Sequence, residues 1–153
     1  RGSYRLPVET PLSLKAGGLY LSGDDPRTDE YEGWNPLYSR WPKWSELFIY
    51  TLATEGGIAY WQNLAMGWIG LDYKVHERVA LEGSVRMMWA PEERSAGFGG
   101  GNYRGTLASM KLKWNWTEHV SGHFLWEALR PGDWYDGSAD DSHFLRWEVF
   151  LLY

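Results

Sequence analysis

Residues 79–90 read VALEGSVRMMWA, and residues 106–117 read TLASMKLKWNWT. In the first stretch Val79, Leu81, Gly83, Val85, Met87 and Trp89 take every second position, against Ala80, Glu82, Ser84, Arg86, Met88 and Ala90. In the second, Ala108, Met110, Leu112, Trp114 and Trp116 alternate with Ser109, Lys111, Lys113, Asn115 and Thr117. Successive side chains of a strand point to opposite faces, so each stretch predicts a strand with one apolar and one polar face. The same period runs through residues 143–153, where Leu145, Trp147, Val149, Leu151 and Tyr153 oppose Phe144, Arg146, Glu148, Phe150 and Leu152. It runs through residues 120–129, with Val120, Gly122, Phe124, Trp126 and Ala128 against Ser121, His123, Leu125, Glu127 and Leu129. Residues 63–75 end on Ile69, Leu71, Tyr73 and Val75 against Gly70, Asp72 and Lys74, and residues 12–22 carry a weaker version. Six strands are therefore predicted. Each is about twice the five or six residues usual in globular sheets, and near the roughly 9–11 residues a tilted strand needs to cross a bilayer.

The connections alternate in length. Residues 76–78 and 118–119 are short joins, whereas residues 22–60, 91–105 and 130–141 are long and rich in Gly and Asp. Tight turns at one end and long loops at the other predict an all-β, antiparallel up-and-down transmembrane β-barrel of about six long strands, with periplasmic turns and extracellular loops. Trp89, Trp114, Trp116, Tyr73 and Tyr153 fall near strand ends, where aromatic girdles meet the membrane interface. An apolar strand finishing on Tyr153 resembles the terminal signal read by barrel-assembly machinery, so Leu145, Trp147, Val149, Leu151 and Tyr153 are expected to face lipid and carry that signal. Six strands do not close a membrane barrel, which starts at eight, and an open edge in lipid leaves backbone groups unpaired. Residues 1–153 are thus expected to be the C-terminal segment of one larger outer-membrane barrel, its remaining strands missing or on another chain. Within the long extracellular loop, residues 44–54 (WSELFIYTLAT) fit neither period. They are expected to form a hairpin with residues 58–64 or a helix, above the membrane or folded into the mouth.

Composition excludes several classes. The 153 residues hold no Cys, which removes disulfides, thiolate catalysis and Cys-based zinc sites. The net charge of -5 argues against a nucleic-acid partner. Eleven Trp and ten Tyr are more indole and phenol than a water-soluble core readily accommodates. No run approaches 18 apolar residues, so no spanning helix is predicted. No leader pattern opens the chain, and any export signal is expected to have been removed or never included.

On this reading the polar strand faces line the lumen. Lys15, Lys74, Arg86, Lys111, Lys113 and Arg146 are the basic candidates, and Asp72, Glu82, Glu127 and Glu148 the acidic ones. A slightly basic wall lowers the barrier to anions, unless the charges pair across strands. Arg86 with Glu82, Lys74 with Asp72, and Arg146 with Glu148 are the expected pairs. Lys111 and Lys113, with no acid beside them on their own strand, are expected to be the least neutralised. The acidic loops, with Asp24, Asp25, Asp29, Glu30 and Glu32 in one and Asp133, Asp136, Asp140 and Asp141 in another, read as solvated surface, and no metal or cofactor site is expected. Catalysis is not expected either. Ser121 and His123 are two apart on one strand, about 6.6 Å, too far for a Ser–His hydrogen bond. His76 and His119 lie in turns, and Ser142-His143 with Asp141 is a chance adjacency.

Residues 22–26 (SGDDP), 32–64 (EGWNPLYSRWPKWSELFIYTLATEGGIAYWQNL) and 67–93 (GWIGLDYKVHERVALEGSVRMMWAPEE) resemble the alginate-export family of bacterial outer-membrane barrels. The resemblance covers most of residues 17–153. It implies a large monomeric, porin-like barrel in the outer membrane of a Gram-negative bacterium, with outer-membrane lipid, lipopolysaccharide and the barrel-assembly machinery as partners. It implies diffusion or export of small anionic, uronate-like solutes. The family's pore-constricting basic residues belong to strands outside this stretch, and none is carried over by position. An outer-membrane barrel that anchors or scaffolds a partner complex is the alternative, and a soluble carbohydrate-binding β-domain the third.

Overall fold

The computed structural model describes residues 2–5, 11–35, 37, 45–47, 63–92, 99–135, 137 and 139–153. Within them lie strands β1 (Gly2–Arg5), β2 (Leu12–Leu21), β3 (Leu64–His76), β4 (Val79–Trp89), β5 (Tyr103–Asn115), β6 (Val120–Pro131) and β7 (Ser142–Leu151). They form one sheet in chain order, each strand antiparallel to its neighbours. Among the described residues the expected antiparallel, up-and-down sheet is present, and the six long strands match the alternating stretches to within a few residues. β1 was not anticipated, because GSYR is too short to show a period. β1 and β7 are the edges, and the sheet is open among the described residues.

Two expectations about strand ends are corrected. β7 stops at Leu151, so Leu152 and Tyr153 lie beyond the strand instead of finishing it. The join between β5 and β6 runs over residues 116–119 and is longer than the predicted two residues. It is closed by Thr117, whose Oγ1 accepts from the His119 N–H at 3.2 Å and the Val120 N–H at 3.0 Å. A hydroxyl bonding the backbone two and three residues on is the usual local competitor of a continuing strand, and it ends β5 here. The β3–β4 join is Glu77-Arg78, and Arg78 Nη1 donates to the Trp116 carbonyl at 2.9 Å, tying the two short joins together. The described residues between β2 and β3, β4 and β5, and β6 and β7 lie at the opposite end.

The register fixes which side chains share a face. Leu14, Leu71, Gly83, Met110, Trp126 and Leu145 are cross-strand partners in one row, and Ala16, Ile69, Val85, Ala108 and Ala128 are partners in the next row on the same side. This apolar face is bare. Ile69 is 68% exposed, Leu145 63%, Trp147 70% and Leu151 70%. Monomers in water rarely leave so continuous an apolar band uncovered.

The opposite face is divided. Toward the long loops it carries Leu64, Met66, Met88, Leu107 and Leu129, buried together with Leu47, and Leu19, Leu21, Trp68 and Phe144 pack against them. Toward the turns it is charged. The described core is therefore a patch on one side of one sheet, and the residues that cover it come from the long loop after β2.

Candidate functional site

The charged zone is built from two rows of cross-strand partners. One runs Lys15, Gly70, Ser84, Ser109, Glu127, and the next, nearer the turns, runs Asp72, Glu82, Lys111, Leu125, Arg146. Lys113, His123 and Glu148 are partners in a third row, and Arg86 stands two residues from Ser84 on β4. Every lumen candidate except Lys74 thus shares one face. Lys74 lies where the β3–β4 register slips, between Tyr73 and His76, and it is exposed.

The pairing among these groups departs from expectation. Asp72 binds Lys15, not Lys74, and Glu82 binds Lys113, not Arg86. Both are cross-strand pairs. Both run along a diagonal between neighbouring strands, a separation that a long lysine side chain spans. Lys113 is therefore neutralised, which corrects its grouping with Lys111 as a free pair. Arg86 Nη1 donates to Ser84 Oγ at 2.7 Å. Among the described residues, neither Arg86 nor Lys111 forms an ion pair. The Arg146–Glu148 pair stands as expected, with Nε 3.1 Å from Oε1. His123 Nε2 lies 3.4 Å from Glu148 Oε2, so its near neighbour is a carboxylate on β7, not Ser121. No cluster of three or more metal-ligating side chains occurs among the described residues.

Three residues of the long loop complete the site, and the alternation pattern did not point to them. Ser45 Oγ donates to Glu127 Oε2 at 3.0 Å, and the backbone N–H groups of Glu46 and Leu47 donate to the same oxygen at 2.8 Å each. Glu46 then reaches Arg146, with Oε1 2.9 Å from Nη1. Glu127 is 2% exposed. A buried carboxylate is tolerated when several donors converge on it, and hydrogen bonds to a charged acceptor are worth about 1.5–3 kcal/mol each. Leu47, 5% exposed, seats in the apolar zone with Leu64, Met66, Met88, Leu107 and Leu129. Burying a leucine contributes about 1.5–3 kcal/mol. Residues 45–47 thus straddle the boundary, with the polar groups of Ser45 and Glu46 on the charged zone and Leu47 on the apolar one. The hairpin-or-helix expectation for residues 44–54 otherwise lies outside the described residues. The one cue in sequence was that this stretch obeys neither period while mixing Ser45 and Glu46 with large apolar side chains.

Between this segment and the sheet is a cavity of about 300 Å³. Lys15, Asp72, Glu82, Arg86, Lys111, Glu127 and Arg146 line it from the sheet, and Ser45 and Glu46 from the loop. Trp68 lies flat over Gly17 at its margin, where a methyl group on Gly17 would come within 2.8 Å of the indole. The cavity is polar and charge-dense, and two of its lining cations, Arg86 and Lys111, have no ion-pair partner among the described residues. No protein-family model, curated protein or solved structure matches the chain.

Proposed function

We propose that this sheet is part of the wall of an outer-membrane β-barrel and that its charged face lines a pore for small anionic solutes, narrowed by the inward-folded residues 45–47. The observation that carries the reading is the exposed apolar band of Leu14, Ile69, Leu71, Val85, Met110, Leu145, Trp147 and Leu151 on one face, backed by ion pairs on the other. Apolar-out and polar-in is the reverse of a soluble sheet domain and the rule for a membrane barrel. Strands of 10–13 residues have the length for a bilayer. Closure needs strands beyond those described, because two open edges in lipid are untenable. Arg86 and Lys111, the lining cations without an ion-pair partner among the described residues, are the groups that would attract anions. The resemblance of residues 22–93 to the alginate-export family points the same way, toward uronate-like solutes, lipid and lipopolysaccharide as surroundings, and assembly machinery for insertion. No catalytic role is proposed.

A second reading has its own support. The apolar zone under Leu47 fills the long-loop end of the inner face, as it would in a plugged barrel that anchors a partner. Planar-bilayer recordings separate the two: steady single-channel current with anion preference supports the pore, and electrically silent insertion supports the scaffold. Single cysteines at Gly100 and Gly137 should be labelled from outside intact cells while those at Glu77 and Glu118 are spared. A mixed pattern refutes the barrel orientation, and a protein soluble and monodisperse without detergent refutes the membrane reading altogether.

A further inference from the structure

We infer that the charged cavity binds a short dicarboxylate, one carboxylate on Arg86 and the other on Lys111, with the hydroxyls of Ser84 and Ser109 between them. Ser84 and Ser109 are cross-strand partners in one row. Arg86 stands one same-face step from Ser84 toward the long loops, and Lys111 one such step from Ser109 toward the turns. Two same-face steps and one strand spacing put their backbones about 14 Å apart. Arg86 leans over the row, since its Nη1 donates to Ser84 Oγ at 2.7 Å. That bond uses one of the guanidinium N–H groups and leaves the others for a carboxylate, and the Ser84 hydroxyl keeps its own proton to donate. Ser109 lines the same cavity. Among the described residues neither cation has a carboxylate partner, whereas Lys15 holds Asp72 and Lys113 holds Glu82. Glu127, the cross-strand partner of Ser109, keeps its charge and opposes an anion at that edge. Positive and negative groups of the lining balance, so an anion is held by contact with the two unpartnered cations and not by a net field. A four- or five-carbon diacid is about 6–7 Å between its outer oxygens. With a charge-assisted bond of about 2.8 Å at each end it bridges at most about 12 Å between cationic nitrogens, a gap that side chains rooted about 14 Å apart close by leaning inward. A monocarboxylate, whether acetate or a single uronate ring, satisfies one cation and leaves the other bare. The site rests on these contacts, and its place on a solute path rests on the pore reading.

Calorimetric titration of the full-length protein in detergent micelles reads binding without any current. Succinate or glutarate should bind at one site per chain, at least tenfold tighter than acetate or galacturonate. Arg86→Gln and Lys111→Gln should each weaken the diacid at least tenfold and change acetate less than threefold, while Lys74→Gln, outside the cavity lining, leaves the diacid as it was. Acetate or galacturonate binding as tightly as both diacids overturns the dicarboxylate assignment, and full diacid affinity in either cavity variant overturns the site. Should a cavity variant fail to fold, the wild type decides alone: monomethyl succinate, which lacks the second carboxylate, must bind at least tenfold more weakly than succinate, and equal affinity overturns the proposal. In planar bilayers succinate should reduce the wild-type chloride current saturably and leave that of Lys111→Gln unchanged. Undiminished current in a protein that binds succinate overturns the site's place on the path. No heat from either diacid in a conducting protein overturns the site and spares the pore. A silent wild type overturns the pore reading, while the titration still decides the site.

Discussion

Gly122 sits where a side chain has no room. A Cβ there would run into the Glu148 carbonyl of β7 and come within 2.7 Å of the Trp114 ring, which lies across the glycine on the apolar face. The backbone contact cannot swing aside as a flexible side chain can, so β6 and β7 must part or the indole must lift. Overpacking of this kind costs about 1–3 kcal/mol. Gly122→Ala should therefore lower the free energy of urea unfolding in vesicles by that amount, and partial recovery in Gly122→Ala/Trp114→Leu would assign part of the clash to the ring. Asp25 supplies a residue-scale prediction outside the strands. Arg27 donates from Nε and Nη2 to its carboxylate at 2.8 Å each, and the Arg27 N–H adds a bond at 2.9 Å, which holds the Asp25 carboxyl below the usual range. The folded value is depressed, so the contact is fully present above the unfolded carboxylate pKa near 3.9 and is lost as pH falls through the lower folded value. Carbon-detected NMR should find the Asp25 midpoint below that of a free Asp, and Arg27→Gln should raise it. An unshifted midpoint in the wild type refutes the pairing.

At the scale of elements, β7 is informative because its partner on one side is β6 and on the other nothing among the described residues. Leu145, Trp147, Val149 and Leu151 share its apolar face, and Arg146 and Glu148 its charged one. A cation on the lipid side of a barrel wall costs about 2–4 kcal/mol near the midplane and little near the interface. Val149→Arg should lose an amount in that range in equilibrium unfolding from vesicles, falling if Val149 lies near the turn-side interface. A change within 0.5 kcal/mol, the usual effect of a solvent-exposed site, both there and in Leu145→Arg, four residues further from the turns, would place this face in water. The strands themselves were legible because period-two alternation needs only the local sequence. Pairing was not. Asp72 with Lys15 and Glu82 with Lys113 depend on register between strands, which residue spacing along one strand cannot show. β1 escaped because four residues carry no measurable period, and the Glu127 contacts with residues 45–47 because they join positions some eighty residues apart.

For the whole molecule, what matters is which charges remain effective once pairing is complete. Lys15 and Lys113 each have a carboxylate partner, so their fields largely cancel within a few ångströms, and Arg146 is shared by Glu46 and Glu148. Glu127 receives three neutral donors from residues 45–47 and keeps its negative charge. The cavity lining therefore balances Lys15, Arg86, Lys111 and Arg146 against Glu46, Asp72, Glu82 and Glu127, and any anion preference depends on Arg86 and Lys111, which have no ion-pair partner among the described residues. Screening makes position decisive: at 0.1 M salt a charge is felt over about 10 Å, and much less at 1 M. On the pore reading, Lys111→Glu places a carboxylate in the cavity beside Glu82 and makes the lining acidic. Lys74→Glu makes the same formal change nearer the turns, outside the cavity lining. The reversal potential under a salt gradient should therefore move toward cation preference strongly in Lys111→Glu and weakly in Lys74→Glu, the difference shrinking as salt rises. Equal shifts would mean that selectivity is set by total wall charge and not at the cavity. A larger shift in Lys74→Glu would move the narrowest point toward the turns, away from residues 45–47.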